Sequence, residues 1–262
     1  MNTIGNIGFI GAGRVTWLLL QALKDNDALP GSIVIADPNP AVLEKAKAIS
    51  PSAITCTSNN GEAAAADVVF LAVHPPVAPQ VLEELRGRIG ESTTLVSLVP
   101  TISLNRLSSA LGITRLVRMI PNAPSIIHQG FNPAAFHPSI TSEEKSRLLQ
   151  MFNHWGVTPE VDEKLLEAYA IIAAMGPTYF WFQWLELQRL AQEFGMKDDA
   201  AKEAIASMLH GAVDTLFKSD LSPAEVLDLI PVCPLKENED AVRQIIATKL
   251  GGLHRKLGEA TK

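Results

Sequence analysis

The sequence predicts an α/β protein, with a doubly wound parallel sheet over residues 1–157 followed by an all-helical domain over residues 158–262. Three observations carry this reading. Short apolar runs alternate with helical stretches in the first part of the chain. A glycine-rich turn joins the first run to the first helix. After residue 157 the strand-like runs stop and helical periodicity takes over. Continuous apolar runs belong to strands buried on both faces, the condition of a parallel sheet covered by helices.

The elements follow in order. Residues 7–10 form the first strand and 15–24 the first helix. Residues 32–36 are the second strand, ending at Asp37-Pro38, with a helix over 41–49. Residues 68–73 form the third, stopped by His74-Pro75-Pro76, and 77–85 the next helix. Residues 94–98 and 115–119 add two more strands. The second domain reads as helices over 163–175, 177–195, 198–218 and 237–257, with a short one from Ser222-Pro223 to Leu229. Pro177 is placed at a first turn, and Gly195 ends the helix that Pro177 opens.

Composition narrows the function. Of 262 residues 47% are hydrophobic and 19% charged, which excludes a disordered chain. Two isolated cysteines, Cys56 and Cys233, cannot build a disulfide framework and point to a cytoplasmic setting. The net charge is −6, its whole acidic excess lies beyond residue 157, and no basic stripe exists for nucleic acid. The least polar stretch, 168–187, is split by Gly176-Pro177 and interrupted by Gln183 and Glu186, so a packed helix pair is expected there, not a membrane span. Gly5, Gly8, Gly11 and Gly13 break the apolar start of the chain, and no leader is expected.

The glycine turn carries the chemistry. Gly11-Ala12-Gly13-Arg14 leaves a strand and opens a helix. Gly11 permits the tight turn, and Gly13 has no side chain to hold a dinucleotide pyrophosphate away from the helix N-terminus. Thr16 stands at the third position of the fingerprint, where Gly or Ala is usual, and is expected to loosen the helix–strand contact. Asp37 closes the second strand, where a carboxylate accepts hydrogen bonds from the adenosine ribose hydroxyls; the alternative is an Asp-Pro turn that caps the next helix. With no arginine following, NAD(H) is favoured over NADP(H). His74 ends the third strand, with a cofactor contact expected ahead of catalysis. The remaining histidines have no metal spacing, and no metal is expected. The run Tyr179-Phe180-Trp181-Phe182-Gln183-Trp184 covers every face of a helix, which must be buried on all sides and points to a subunit interface.

These motifs line up with a family. G-F-I-G-A-G at 8–13, F-L-A-V-H-P at 70–75, S-L-V-P-T-I-S-L at 97–104, R-M-I-P-N-A-P-S at 118–125 and A-M-G-P-T-Y-F at 174–180 resemble pyrroline-5-carboxylate reductases. The resemblance implies a Rossmann-like domain followed by a helical dimerisation domain. It implies that Gly11, Ala12 and Gly13 hold the pyrophosphate and that Asn60 (or Asn59) reaches the adenosine side. Ala72, Val73, His74 and Pro75 would line the dinucleotide groove, and Pro121 and Asn122 would lie near the nicotinamide. It further implies a homodimer or larger assembly through interlocking C-terminal helices, with the active site shared between subunits. The departures are specific. His74 replaces a lysine, and Ala173-Ala174-Met175-Gly176-Pro177-Thr178 replaces Ser-Gly-Ser-Gly-Pro-Ala. Cys233-Pro234-Leu235-Lys236-Glu237-Asn238 replaces the Ser-Pro-Gly-Gly-Thr-Thr loop that grips the substrate carboxylate. A loop without glycine does not readily form an amide nest, leaving Lys236 as the candidate substrate contact. The expected activity is NAD(P)H-dependent hydride transfer to the C=N carbon of a small cyclic imine, in proline biosynthesis if that imine is pyrroline-5-carboxylate. Thr178 or Tyr179 would supply a proton or hydrogen bond at the nitrogen. The alternatives are another small imine or carbonyl substrate, or a non-catalytic dinucleotide-binding regulator.

Overall fold

The computed structural model describes residues 5–261. Strands β1 (Asn6–Ile10), β2 (Ser32–Ala36), β3 (Ile54–Thr57), β4 (Val68–Leu71), β5 (Thr94–Ser97) and β6 (Leu116–Met119) run parallel. With β8 (Ala134–Phe136) they form one sheet in the order β3-β2-β1-β4-β5-β6-β8. The short strands β7 (Gly130–Phe131) and β9 (Gly156–Val157) pair separately. The order reverses between β1 and β4, which places the switch point of the doubly wound sheet there.

Each strand leads into a helix for a local reason. In α1 (Arg14–Asp25) the buried residues Thr16, Leu19, Leu20 and Leu23 recur at helical spacing and face the sheet. Asn39 caps α2 (Pro40–Lys47), and Asn59 caps α3 (Asn60–Ala63). Helix α4 (Ala78–Leu85) buries Ala78, Val81, Leu82 and Leu85. Helix α5 (Leu104–Leu111) is capped by Ser103 and stopped by Gly112, whose φ is +72°. A reciprocal Thr141–Glu144 capping box opens α6 (Ser142–Phe152). One face of the sheet packs Leu71, Leu95 and Leu116 against α4 and α5. The other stacks Phe70 on Phe9 at 4.8 Å and sets its edge against Trp155 at 5.7 Å. Trp155 is fully buried, and its indole N–H donates to the Leu19 carbonyl at 3.0 Å, so the apolar bulk costs no unmet donor.

The parallel sheet and helical C-terminal region match the expectation, with additions. The sequence reading found none of β3, β7, β8, β9, α3, α5 and α6, and β8 runs antiparallel to β6. Strand β4 ends at Leu71, two residues before the apolar run does. By compactness the chain divides between residues 175 and 176, not at 157: residues 5–175 with 252–261 form one unit and 176–251 the other. The segment after β9 belongs to the sheet unit because a turn (Glu163–Leu165), α7 (Leu166–Tyr169) and a π turn (Ala170–Ala174) bury Leu166, Glu167, Ala170 and Ile171 in it.

That segment is fixed by charge. Arg118 of β6 is 1% exposed. Its guanidinium donates to Glu163 Oε1 at 2.8 Å, to Glu167 Oε1 at 2.8 Å and to the Pro100 carbonyl at 2.5 Å. Glu163 Oε1 also accepts the Leu104 N–H at 2.7 Å, at the start of α5.

The second unit holds α8 (Pro177–Glu193), α9 (Asp198–Lys218), α10 (Pro223–Asp228) and the first part of α11 (Glu239–Thr261). The helical run Glu163–Glu193 contains an 18-residue stretch of mean hydropathy 1.2 and is long and apolar enough to cross a membrane by length and composition, but its first part is the packed segment just described. Within the single chain α8 buries no residue, contrary to the expectation of burial on every side; Phe182 is 67% exposed and Phe217 of α9 77%.

Arg118→Met removes the guanidinium that faces the buried Glu167 carboxylate and is expected to cost about 3–5 kcal/mol. Urea denaturation checks this, and a loss below about 1 kcal/mol would mean that solvent already screens the cluster.

Candidate functional site

The carboxyl ends of the parallel strands bring most of the expected cofactor residues to one edge of the sheet. Gly11 has φ of +101°, and a Cβ there would lie 2.5 Å from the Ala72 carbonyl oxygen, so only glycine lets β1 and β4 end this close together. Gly13 differs. A Cβ built on it meets nothing within 4 Å, and it stands as the exposed N-cap of α1 with no side-chain capping bond. The first turn of α1 carries no acidic residue. Open space over a bare helix N-terminus, free of negative charge in that turn, fits a pyrophosphate. Arg14 is exposed at the first position of the same helix.

Two side chains brace this turn. Thr16 is fully buried, and its hydroxyl donates to the Gly11 carbonyl at 2.6 Å. The third fingerprint position therefore ties the turn to its helix; it does not loosen it. Asp37 accepts the Ala12 N–H at 2.8 Å with one carboxylate oxygen and the Asn39 N–H at 2.8 Å with the other. It shapes the β2–α2 turn and braces the glycine turn together, while Asn39 is the cap of α2.

Ala72 and Val73 are half-buried beyond β4, whereas His74 and Pro75 are exposed around a 3-10 turn over Pro75–Val77. Asn59 is committed to capping α3, and the Asn60 amide donates to Glu84 at 2.8 Å. Asn122, after β6, is buried, and both ends of its side chain are engaged: Oδ1 accepts the Phe131 N–H at 3.1 Å, and Nδ2 donates to Ala173 O of the π turn at 3.5 Å. Helix α1 packs against the turn Ala123–Ile127 that follows.

Thr178, Tyr179 and Lys236 belong to the other unit. Thr178 is exposed and Tyr179 half-buried in the first turn of α8, and burial pushes the Tyr179 hydroxyl above its usual range. Lys236 is exposed and pairs with Glu239 at 3.5 Å, a contact of small energetic weight. Among the described residues, those with positive φ are Asp27, His128 and five glycines, none of them in the 233–238 loop. An amide nest needs such a residue, so this loop does not form one.

The sequence reading missed Arg118, Glu163 and Glu167, and also Ser125 and Asn132, which hold the Asn122 turn. Cavities of about 550 and 380 Å³ lie at the opposite, amino-terminal edge of the sheet, both beside Gly5 and Arg147. Among the described residues no three His, Cys, Asp or Glu side chains gather to hold a metal.

The switch-point crevice and glycine turn define a dinucleotide-binding fold of the NAD(P) oxidoreductase type. Residues 6–100 match the family model described as NADP oxidoreductase, coenzyme F420-dependent. Over 229 residues the chain is 26% identical to the pyrroline-5-carboxylate reductase of Escherichia coli (strain K12), covering 86% of this chain and 84% of that one. The solved pyrroline carboxylate reductase of Plasmodium falciparum, with NADP bound, superposes with a TM-score of 0.83 at 20% identity over the whole of both chains. The Coxiella burnetii enzyme superposes at 0.76 with 22% identity, again over both chains entirely. Over most of its length the chain is thus similar to pyrroline-5-carboxylate reductases, as its motifs imply.

Gly13→Val is expected to abolish dinucleotide binding while costing the fold only about 1 kcal/mol, because the new side chain projects into open space. Calorimetric titration with NADH and a melting curve test both halves, and retained affinity removes the pyrophosphate assignment.

Proposed function

We propose that this protein is an NAD(P)H-dependent reductase that delivers hydride to the C=N carbon of a small cyclic imine, with pyrroline-5-carboxylate the first candidate. The observation that carries the reading is the open N-terminus of α1 behind a glycine turn packed against the end of β4. Gly11, Ala12, Gly13 and Arg14 would hold the pyrophosphate, and Asp37 and Asn60 the adenosine side. Ala72, Val73, His74, Pro75 and Asn122 would line the path to the nicotinamide. A reduced nicotinamide supplies the hydride when bound; the chain supplies position, exclusion of water and a hydrogen bond at the imine nitrogen from Thr178 or Tyr179. Two free cysteines fit a cytoplasmic setting, and the exposed apolar side chains of α8 and α9 fit a homodimer through the helical unit.

One observation favours a second reading within the same chemistry. The 233–238 loop has neither glycine nor a left-handed residue, so a substrate carboxylate would have to be met by Lys236 or elsewhere. That fits a different small imine or carbonyl compound, or a regulator that binds the dinucleotide without turning it over.

Oxidation of NADH and of NADPH, followed separately with pyrroline-5-carboxylate, decides between them. Turnover is the expected outcome, and dinucleotide binding without turnover would shift the reading to another substrate or to a regulator. Asp37→Ser is expected to weaken NADH more than NADPH. Equal losses would remove the ground for preferring NAD(H), since Asp37 would then act only by bracing Ala12.

A further inference from the structure

Asn132 lies between β7 and β8 and is fully buried. A buried primary amide is costly unless its hydrogen bonds are met, and here they are met from one direction. Asn132 Oδ1 accepts the Asn122 N–H at 3.0 Å and the Ser125 hydroxyl at 2.9 Å. Its Nδ2 donates to the Trp155 carbonyl at 3.4 Å, and its own N–H donates to the Val157 carbonyl at 2.9 Å. The amide cannot be flipped: its NH₂ would then face a backbone N–H, and its oxygen a carbonyl. Its neighbour Gly130 leaves no slack, for a Cβ there would come within 2.1 Å of Ser125 Oγ and 2.4 Å of the Trp155 carbonyl oxygen.

The side chain thus grips the 122–125 turn at both ends and anchors it to Trp155, which is itself bonded to α1 through Leu19. This turn follows β6, on the far side of the β1/β4 switch point from Asp37 at the end of β2. A dinucleotide lying across the switch point would have its adenosine end over β2 and its nicotinamide end toward this turn. We infer that Asn132 is a positioning residue for the nicotinamide half of the cofactor site, acting through the Asn122–Ser125 turn. The inference rests on the dinucleotide reading above.

The test separates the two halves of the ligand. NADH and ADP-ribose, which lacks the nicotinamide, are titrated calorimetrically against wild type, Asn132→Ala and Ser125→Ala, with melting curves for each. Asn132→Ala is expected to weaken NADH about tenfold, as the loss of one buried hydrogen-bonding partner predicts, while ADP-ribose changes less than about twofold. Ser125→Ala removes one donor and leaves the amide in place, so a loss of about threefold for NADH alone is expected, and it decides the matter if Asn132→Ala does not fold. Equal losses for both ligands, or none for either, overturn the positioning role. Wild-type protein that binds neither ligand overturns the dinucleotide reading and this inference with it.

Discussion

The architecture around the site depends on one buried cation. Arg118 sits in the middle of the sheet unit, and three otherwise separate pieces reach it: the loop after β5 through Pro100, the start of α5 through Glu163, and the segment 163–175 through Glu163 and Glu167. Desolvating an arginine and a carboxylate costs several kcal/mol for each ion, so the cluster adds little net stability over an apolar core. What it adds is register. A helix held only by Leu166, Ala170 and Ile171 can slide by a turn with little change in buried apolar area, whereas two carboxylates on one guanidinium fit in one position. That position brings the Ala173 carbonyl, exposed by the π turn, within 3.5 Å of the Asn122 amide.

The two glycines of the turn act through opposite kinds of space. At Gly11 there is none, and the absence of a side chain is what lets β4 lie alongside. At Gly13 there is plenty, and the absence of a side chain keeps it open. A turn this bare would be loose if nothing else held it, and Thr16 and Asp37 do so from either side. The Asp37 carboxylate already has two backbone donors, so it is placed before any ribose arrives. Under the proposed reading, ribose binding would redistribute its hydrogen bonds with little side-chain ordering left to do.

What could be read from the sequence follows from how each feature is encoded. The central strands and the glycine turn are local: apolar runs and a spacing of two glycines are visible in a window of ten residues. Strand β3 is Ile-Thr-Cys-Thr at the sheet edge, with only Ile54 fully buried, and leaves no apolar run to see. Strand β8 exists because β6 offers it an edge, which no local pattern announces. Arg118 and Asn132 were invisible as functional residues for the same reason. Their partners lie 45 and 49 residues away for Arg118 and 10 and 7 for Asn132, in each case on other elements or turns, so no periodic pattern within one element links them. Thr16 was misread because a rule about side-chain size ignored the hydroxyl, which turns bulk into a tether. The aromatic helix α8 was expected to be buried on every face, and within the single chain it buries no residue, because a run of aromatic side chains does not by itself say what packs on it.

The two ends of the proposed reaction are built from different kinds of structure. The cofactor end is built from backbone: a left-handed glycine, a bare helix N-terminus and a turn clamped by a buried amide. Such features tolerate few substitutions, because they depend on backbone conformation and close approach rather than on a side chain that another could replace. The proposed substrate end would rest on side chains and one loop, and that loop, 233–238, has neither a glycine nor a left-handed residue. If Leu235 and Lys236 stand where the resembled family has two glycines, more than polarity differs, because the backbone conformations from which an anion-binding nest is made are lost. In the proposed role Lys236 would supply a positive charge without direction, since an ammonium on a flexible stem binds an anion as a point charge. A scaffold that keeps the hydride donor's site rigid while loosening the substrate's grip is suited to a change of substrate with the chemistry retained.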